Sequence, residues 1–222
     1  MKIAIDGPSG AGKSTISKLL ATKLGFVYID TGAMYRTIGL SAIINKLDTK
    51  NDVSQIISML EDITIDIVLE DSIQKMFLNG EDVTDYIRTP EVSIAASDVA
   101  VIPEVRIKLV EIQRQLAEGK NVIMDGRDIA TYVLPDAEIK IFLTASAEDR
   151  AQRRYAELVA NGVNVTFEQV LKDVNKRDEN DSSRAFSPLK VDDNAHIIDT
   201  TGNTLEQSIS IIEEYILKEM SK

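Results

Sequence analysis

The chain has 222 residues, of which 44% are hydrophobic, so it is long and apolar enough for one α/β unit with an inserted lobe and is not a disordered protein. Its formal net charge of −11 argues against sequence-independent binding to nucleic acid or to an anionic membrane surface. The absence of cysteine excludes disulfides and thiolate chemistry and suits a reducing compartment, so we expect a cytoplasmic protein.

The first half of the chain alternates between strand and helix patterns. An apolar strand is predicted over 2–6. A secretory protein would carry a basic and then apolar leader at this position, so we expect no secretory signal. A helix with one apolar face follows over 13–24, then a short strand over 26–29 and a helix over 33–45. Residues 53–60 are again apolar with helical spacing. No apolar run approaches the roughly 20 residues of a membrane span.

A different pattern interrupts this alternation in the middle of the chain. Residues 63–69 and 75–78 alternate like strands, and Asn79-Gly80 is a strong turn signal. Val83 and residues 86–87 extend the same pattern. We therefore predict a small antiparallel sheet, inserted into the larger fold.

The strand and helix alternation returns in the second half. It predicts helices over 90–101 and 103–118, strands over 122–125 and 138–143, helices over 146–160 and 166–177, a polar loop over 178–195, a strand over 196–198 and a last helix over 205–219. Such alternation is typical of an α/β fold whose central parallel sheet is flanked by helices on both faces. Ligands of these folds bind at the carboxyl ends of the strands.

The segment from residue 7 to 14 reads Gly-Pro-Ser-Gly-Ala-Gly-Lys-Ser and matches the phosphate-binding loop pattern between a strand and a helix. Glycines let successive backbone N–H groups point at one anion, and the positive end of the following helix faces the same place. Lys13 adds a cation for the outer phosphates, and Ser14 offers a hydroxyl to Mg²⁺. The predicted triphosphate-binding residues are Gly7, Pro8, Ser9, Gly10, Ala11, Gly12, Lys13, Ser14 and Thr15.

Two further predicted strands end in polar segments. Asp125 ends an apolar strand and is placed to orient Mg²⁺ through a water molecule; its alternative role is to cap the next turn. Arg36, in Asp30-Thr-Gly-Ala-Met-Tyr-Arg36, and Arg127, in Asp125-Gly-Arg-Asp128, are able to bind a second phosphate. Two such arginines suggest an anionic acceptor rather than water.

With these motifs in place, the chain resembles the bacterial cytidylate kinases, a family of P-loop nucleoside monophosphate kinases, over nearly its whole length. The resemblance is carried by segments 5–15, 30–36, 94–97, 105–106, 125–128, 153–154 and 176–184. It implies transfer of the γ-phosphate of ATP to CMP and dCMP with Mg²⁺, in pyrimidine nucleotide metabolism. It also implies a P-loop three-layer fold that acts as a monomer.

The resemblance further implies three parts and a set of roles. Residues 1–30, 103–146 and 164–222 would form the nucleotide-binding core, 31–102 the monophosphate-binding lobe and 147–163 a helical lid. The implied CMP-binding residues are Thr31, Tyr35, Arg36, Ser97, Arg106, Asp125, Arg127, Asp128, Arg177, Asp181 and Arg184. The implied catalytic residues are Lys13, Arg127, Arg150 and Arg154.

Within these roles Asp128 is the base reader, because a carboxylate accepts from the cytosine amino group and repels the uracil carbonyl oxygen. Asp181 suits a sugar hydroxyl, and Tyr35 either packs on the acceptor or is an ordinary helix-face aromatic. The lone histidine, His196, is interpreted as structural.

Three alternatives remain open. A GTP-driven switch is suggested by Asn45-Lys-Leu-Asp48 and Asp199-Thr-Thr-Gly202, but the two occur in the wrong order for that class. A nucleotide-binding regulator without turnover would not need two arginine sites. Within the kinases, UMP is the second candidate acceptor.

Overall fold

A computed structural model describes residues 1–70 and 73–222. The helices are α1 (Lys13–Leu24), α2 (Thr31–Ile44), α3 (Val53–Asp62), α4 (Pro90–Val99), α5 (Pro103–Ala117), α6 (Ala147–Ala160), α7 (Phe167–Ser183) and α8 (Leu205–Met220). The strands are β1 (Lys2–Asp6), β2 (Val27–Asp30), β3 (Ile65–Glu70), β4 (Ile73–Leu78), β5 (Glu81–Asp82), β6 (Val122–Gly126), β7 (Ile139–Thr144) and β8 (His196–Asp199). The chain divides into two compact units, one formed by Met1–Val27 and Lys120–Lys222 and the other by Tyr28–Gly119.

The main sheet has five strands in the order β2-β6-β1-β7-β8. Strand β1 pairs in parallel with β6 and β7, and β7 pairs in parallel with β8. Its central strands are apolar because both faces are covered, and Ile3, Ile5, Ile123 and Ile141 are fully buried. Register aligns Asp6 with Gly126, so β1 and β6 end at the same level. The predicted α/β fold with a central parallel sheet is confirmed.

The second unit holds the small antiparallel sheet, in the order β3-β4-β5, as predicted. Asn79 and Gly80 both have positive φ, 52° and 82°, which is the geometry of a two-residue hairpin turn. The core of this unit joins α2, α3, α5 and β4 through buried residues that include Met34, Ile56 and Met76. The predicted extension of the sheet over 86–87 is wrong, because Tyr86–Arg88 form a 3-10 turn.

Helix α7 continues to Ser183, so the prediction of a loop from residue 178 is also wrong. The segment Asp-Glu-Asn-Asp-Ser-Ser has weak helix propensity. Its aspartates, however, form ion pairs with arginines from elsewhere in the chain, at Asp178 and Asp181. These long-range contacts outweigh the local preference.

The sequence pattern also gave no sign of the π-helical turn at Ile129–Val133, directly after the Asp125-Gly-Arg-Asp128 segment. The Asp128 carbonyl oxygen accepts from Val133, and that of Ile129 accepts from Leu134, both five residues ahead. Such turns occur often at functional sites.

In the part of the chain that the structure describes, none of the helices combines the length and apolar composition of a bilayer span. The predicted division into core, lobe and lid stays a prediction.

Candidate active site

The phosphate-binding motif forms the loop between β1 and α1, within the first unit. Gly7 has a φ of 148°, and a Cβ atom there would lie 1.9 Å from the carbonyl oxygen of Leu143. Only glycine therefore fits where the loop passes the end of β7. The helix α1 has Gly12 as its N-cap, which supplies no side-chain acceptor to the first N–H groups of the helix. These groups and the positive end of the helix dipole favour an anion.

Lys13 lies against the loop that precedes it. Its side chain is buried, and its Nζ donates a hydrogen bond of 2.7 Å to the carbonyl oxygen of Pro8. Burial, together with the positive charge of Arg127, lowers the pKa of Lys13 from 10.5 to about 7. A phosphate group at the loop would raise this pKa again, because a negative charge favours the protonated amine.

The predicted magnesium residues meet at the start of α1. The Ser14 Oγ donates a hydrogen bond of 2.9 Å to Oδ2 of Asp125, which is buried at the end of β6. A hydroxyl and a carboxylate are oxygen ligands of the kind that Mg²⁺ prefers, so the donor set fits the ion. Across residues 1–70 and 73–222 there is no cluster of three or more His, Cys, Asp or Glu with metal-site geometry. A magnesium ion here would therefore take most of its ligands from phosphates and water.

Asp6, the residue before the loop, joins the loop to the Asp125-Gly-Arg-Asp128 segment. Its buried carboxylate accepts hydrogen bonds from the backbone N–H groups of Ile129 and Ala130, at 2.8 and 2.7 Å. The register of β1 with β6 fixes the other end of the segment, at Gly126. Only Arg127 and Asp128 lie between these two anchors. Burial raises the pKa of Asp6 from 3.8 to about 7, although the two hydrogen bonds oppose this effect.

Four predicted acceptor-site residues form one charged network in the first unit. The Arg127 Nε lies 2.6 Å from Oδ2 of Asp181, in the last turn of α7. The guanidinium of Arg184 is 3.7 Å from Oδ1 of Asp181 and 3.7 Å from Oδ1 of Asp128. The hydroxyl of Ser187 donates a hydrogen bond of 2.5 Å to the other oxygen of Asp128. The chain therefore places two arginines and two aspartates beside the segment that Asp6 anchors.

Arg150, predicted as a lid residue, is buried and makes four hydrogen bonds to the protein. Its Nη atoms bind both carboxylate oxygens of Asp178, at 3.1 and 2.6 Å. It also donates to the carbonyl oxygens of Ser9 and Ala145, both at 2.9 Å. This arginine therefore connects the phosphate loop to α7.

The other arginines of α6 and α7 are less constrained. Arg154 forms an ion pair of 2.8 Å with Glu157, which is mostly exposed. Arg177 donates a long hydrogen bond of 3.5 Å to the Ser9 hydroxyl in the loop. Burial lowers the pKa of Arg177, and the positive charges of Arg154 and Arg127 lower it further. A concentration of like charge that lowers an arginine pKa indicates a site suited to an anion.

The second unit contains the segment Asp30 to Arg36. Asp30 caps α2 by accepting from the Ala33 N–H at 2.9 Å, and its other oxygen pairs with Arg88 at 3.0 Å. The side chain of Gln74 binds both the N–H and the carbonyl oxygen of Asp30, at 2.9 and 3.1 Å. Arg36 donates to the carbonyl oxygen of Ile87 at 3.3 Å. Contacts from β4 and from the 3-10 turn therefore hold the start of α2.

The remaining predicted residues lie on the same unit. Arg106 is 1% exposed, stands 5.4 Å from the ring centre of Tyr35 and donates to the Ala100 carbonyl oxygen at 3.3 Å. Ser97 lies on α4, and Thr31 is buried in the first turn of α2. A buried guanidinium over an aromatic face makes a cation–π contact.

The predicted site residues thus fall into two groups. The phosphate loop, Asp125, Arg127, Asp128, Arg150, Arg154, Arg177, Asp181 and Arg184 belong to the first unit, and Thr31, Tyr35, Arg36, Ser97 and Arg106 to the second. Sequence reasoning missed residues that hold these groups in place, namely Asp6, Gln74, Arg88, Asp178 and Ser187. Their partners are distant in sequence or depend on backbone geometry, and the only available signal was their position beside a predicted motif.

Comparison with known proteins gives consistent relatives. The model of a protein family described as cytidylate kinase matches residues 3–218. A cytidylate kinase of Caldicellulosiruptor bescii is 53% identical over 218 residues, covering 98% of this chain and 96% of that protein. A cytidylate kinase of Carboxydothermus hydrogenoformans is 50% identical, with 97% of each chain covered.

A solved structure supports the fold alone. An uncharacterized protein from Eubacterium ventriosum superimposes with a TM-score of 0.53 at 15% sequence identity, covering 98% of each chain.

Proposed function

This chain belongs to the cytidylate kinase family, and on that premise we propose that it transfers the γ-phosphoryl group of ATP to CMP, with dCMP as a second acceptor, yielding ADP and CDP or dCDP. The observation that carries the proposal is the similarity of nearly the whole chain to cytidylate kinases at about half identity. A GTP-driven switch is less well supported, because the Asn45-Lys-Leu-Asp48 segment folds into a local turn, where the Asp48 carboxylate accepts from Lys50 and Asn51. A nucleotide-binding regulator without turnover is also less well supported, because it would not need two arginine sites.

We propose that the phosphate loop and α1 bind the triphosphate of ATP. The backbone N–H groups of residues 7–15, which all of them except Pro8 carry, would surround the phosphates, and Lys13 would turn from the Pro8 carbonyl oxygen to the outer phosphates. Ser14 would hold Mg²⁺ directly and Asp125 through a water molecule. When bound, the ion would neutralise charge on the β- and γ-phosphate oxygens.

The acceptor phosphate would be bound by Arg36 and Arg127. The base would be read by Ser97, Arg106 and Asp128, and the sugar and phosphates would contact Arg177, Asp181 and Arg184. Thr31 and Tyr35 would complete the acceptor site. Asp128 is suited to accept a hydrogen bond from the cytosine amino group. With uracil, the Asp128 carboxylate and the base carbonyl oxygen would face each other as two acceptors, and neither would have a donor.

No general base is required, because the acceptor phosphate oxygen is already ionised at neutral pH. The protein therefore contributes position and charge. For the transferring group we propose Lys13, Arg127, Arg150 and Arg154. Arg154 would give up only an exposed ion pair to reach it, whereas Arg150 would give up four hydrogen bonds. We propose residues 147–163 as the lid that carries these two arginines.

We further propose residues 1–30, 103–146 and 164–222 as the nucleotide-binding core and 31–102 as the monophosphate-binding lobe. Because ATP and CMP are intracellular metabolites, we propose that the enzyme acts in the cytoplasm. We also propose that it acts as a monomer.

Release of ADP by the purified chain tests this function. The assay uses Mg²⁺ and ATP with CMP, dCMP, UMP or AMP in parallel, and Lys13→Ala serves as the control for loop-dependent turnover. We expect CMP and dCMP to stimulate ADP release well above UMP and AMP. Equal stimulation by CMP and AMP would remove the base assignment. Replacement of ATP by GTP without loss would favour a different nucleotide site.

A further inference from the structure

Ser187 lies in the loop after α7 and has an unusual backbone conformation. Its φ is 50°, in the left-handed region that residues other than Gly, Asn and Asp rarely adopt. Of the other described non-glycine residues with positive φ, Asn79 belongs to a hairpin turn and Lys46 follows the end of α2. A serine held in this region beside binding residues indicates that its surroundings fix it there.

Two groups of Ser187 contact both members of one ion pair. Its hydroxyl donates to Oδ2 of Asp128 at 2.5 Å, and its carbonyl oxygen accepts from Nε of Arg184 at 2.6 Å. Asp128 and Arg184 are themselves 3.7 Å apart through Oδ1 and Nη2. The three residues therefore form a ring of polar contacts, in which the hydroxyl hydrogen-bonds one carboxylate oxygen and the guanidinium faces the other at ion-pair distance.

The neighbours of Ser187 anchor this ring on both sides. The Leu189 N–H donates to the carbonyl oxygen of Asp181 at 2.7 Å, which ties the loop back to α7. The Phe186 ring packs edge-to-face on Tyr132, with centroids 5.1 Å apart. Tyr132 lies in the π-helical turn that follows Asp128. The loop is therefore fastened to the turn that directly follows Asp128 and to the helix that leads to Arg184.

We propose that Ser187 is a positioning residue for acceptor discrimination: its hydroxyl sets the orientation of the Asp128 carboxylate, and its carbonyl oxygen that of the Arg184 guanidinium. This inference rests on the proposed function, which assigns Asp128 to the base. A carboxylate that accepts a hydrogen bond at one oxygen and faces a guanidinium at the other is restrained from turning away from a mismatched acceptor. The uracil carbonyl oxygen would then meet a fixed negative charge, and the cytosine amino group a fixed acceptor.

The hydroxyl is tested by Ser187→Ala, which keeps a Cβ atom and hence the backbone constraint. Without the hydroxyl the carboxylate is able to rotate, so CMP binds less well and UMP meets less repulsion. We expect the ratio of kcat/KM for CMP to that for UMP to fall about tenfold, as for loss of a hydrogen bond to a charged group. The KM for ATP should stay within about twofold of the wild-type value, because no part of the ring belongs to the phosphate loop.

Two further variants separate the hydroxyl from the backbone. Ser187→Gly removes the hydroxyl and also frees the backbone, so its ratio should fall at least as far as that of Ser187→Ala. Ser183→Ala removes an exposed hydroxyl that donates only to the Glu179 carbonyl oxygen, and its ratio should be unchanged.

An unchanged ratio in Ser187→Ala would overturn the proposal, as would an equal loss of kcat/KM for CMP and UMP with a raised KM for ATP, which marks a structural role only. Failure of the proposed function looks different, because the wild-type enzyme itself would then show no preference for CMP over UMP.

Discussion

Asp6→Asn is expected to affect stability and activity differently, because the buried Asp6 carboxylate is costly to ionise and also anchors the Asp125-Gly-Arg-Asp128 segment. The pKa of Asp6 is raised from 3.8 to about 7, chiefly by burial. Between these values the folded protein binds a proton that the unfolded chain does not. The stability from this site is therefore complete below an unfolded pKa of about 4 and is lost as the pH rises through about 7. The rise in pKa is about 3, and each pKa unit corresponds to about 1.4 kcal/mol, so the loss is about 4 kcal/mol.

Asparagine cannot ionise, so the variant should not show this loss. It also turns an amide NH₂ toward one of the two N–H groups of Ile129 and Ala130, at a cost of about 1–3 kcal/mol that does not depend on pH. We expect the stability of the variant relative to the wild type to improve by about 4 kcal/mol between pH 4 and pH 8. Urea unfolding followed by circular dichroism at several pH values measures this change.

At pH 8 the catalytic activity of Asp6→Asn should fall, although its stability relative to the wild type has improved. Loss of one anchor lets Arg127 and Asp128 shift, so kcat/KM for CMP should fall about 10- to 100-fold although the variant is folded. A control is Asp48→Asn, because Lys50 and Asn51 lower the pKa of that exposed carboxylate, and its stability contribution is instead lost as the pH falls. Parallel pH profiles of stability for the wild type and Asp6→Asn, or undiminished activity of the variant, would contradict this role of Asp6.

Three further predictions concern the charged groups of the site. Binding of ATP at pH 8 should take up a proton, because the phosphates raise the lowered pKa of Lys13; calorimetry in two buffers of different ionisation enthalpy measures the uptake, which Lys13→Ala should abolish. Arg127→Ala should lower kcat/KM for CMP by roughly 10²–10³-fold, about 3–4 kcal/mol of barrier, in steady-state assays. Asp128→Asn should narrow the preference for CMP over UMP, measured as the ratio of the two kcat/KM values, because an amide is able to face either base.

Each of these has an outcome that contradicts it. A binding enthalpy independent of buffer would mean that the protonation state of Lys13 does not change when ATP binds. A wild-type kcat/KM for CMP in Arg127→Ala would remove this arginine from the site; Lys218→Ala, which changes an exposed lysine of α8, controls for net charge. An unchanged ratio in Asp128→Asn would contradict its role in reading the base.

The phosphate loop and the ends of the central strands could be predicted because their signals are local. Glycine, lysine and serine at fixed spacing between an apolar strand and a helix specify the loop without reference to the rest of the chain. The paired turn at Asn79 and Gly80 was predictable for the same reason, since both residues accept positive φ.

The end of α7 could not be predicted in this way. Beyond Arg177 the residues have weak helix propensity, and their helical state depends on partners far away in sequence. Asp178 pairs with Arg150, and Asp181 with Arg127, across 28 and 54 residues. A pattern read along the sequence contains no information about such pairs.

The same limit applies to Asp6 and Ser187. Asp6 reads as the last residue of a strand, yet its carboxylate binds N–H groups more than 120 residues away. Ser187 has no sequence signature, because its importance lies in a backbone angle and in contacts to Asp128 and Arg184.

Transfer of a phosphoryl group from ATP to CMP is the reaction on which all of these residue roles depend. Incubation with Mg²⁺, CMP and ATP labelled in the γ-phosphate, followed by separation of the products, tests it directly. We expect the label to appear in CDP, and we expect Lys13→Ala and Arg127→Ala to suppress this transfer. Label found only in inorganic phosphate, at a rate that CMP does not change, would rule out CMP as the acceptor.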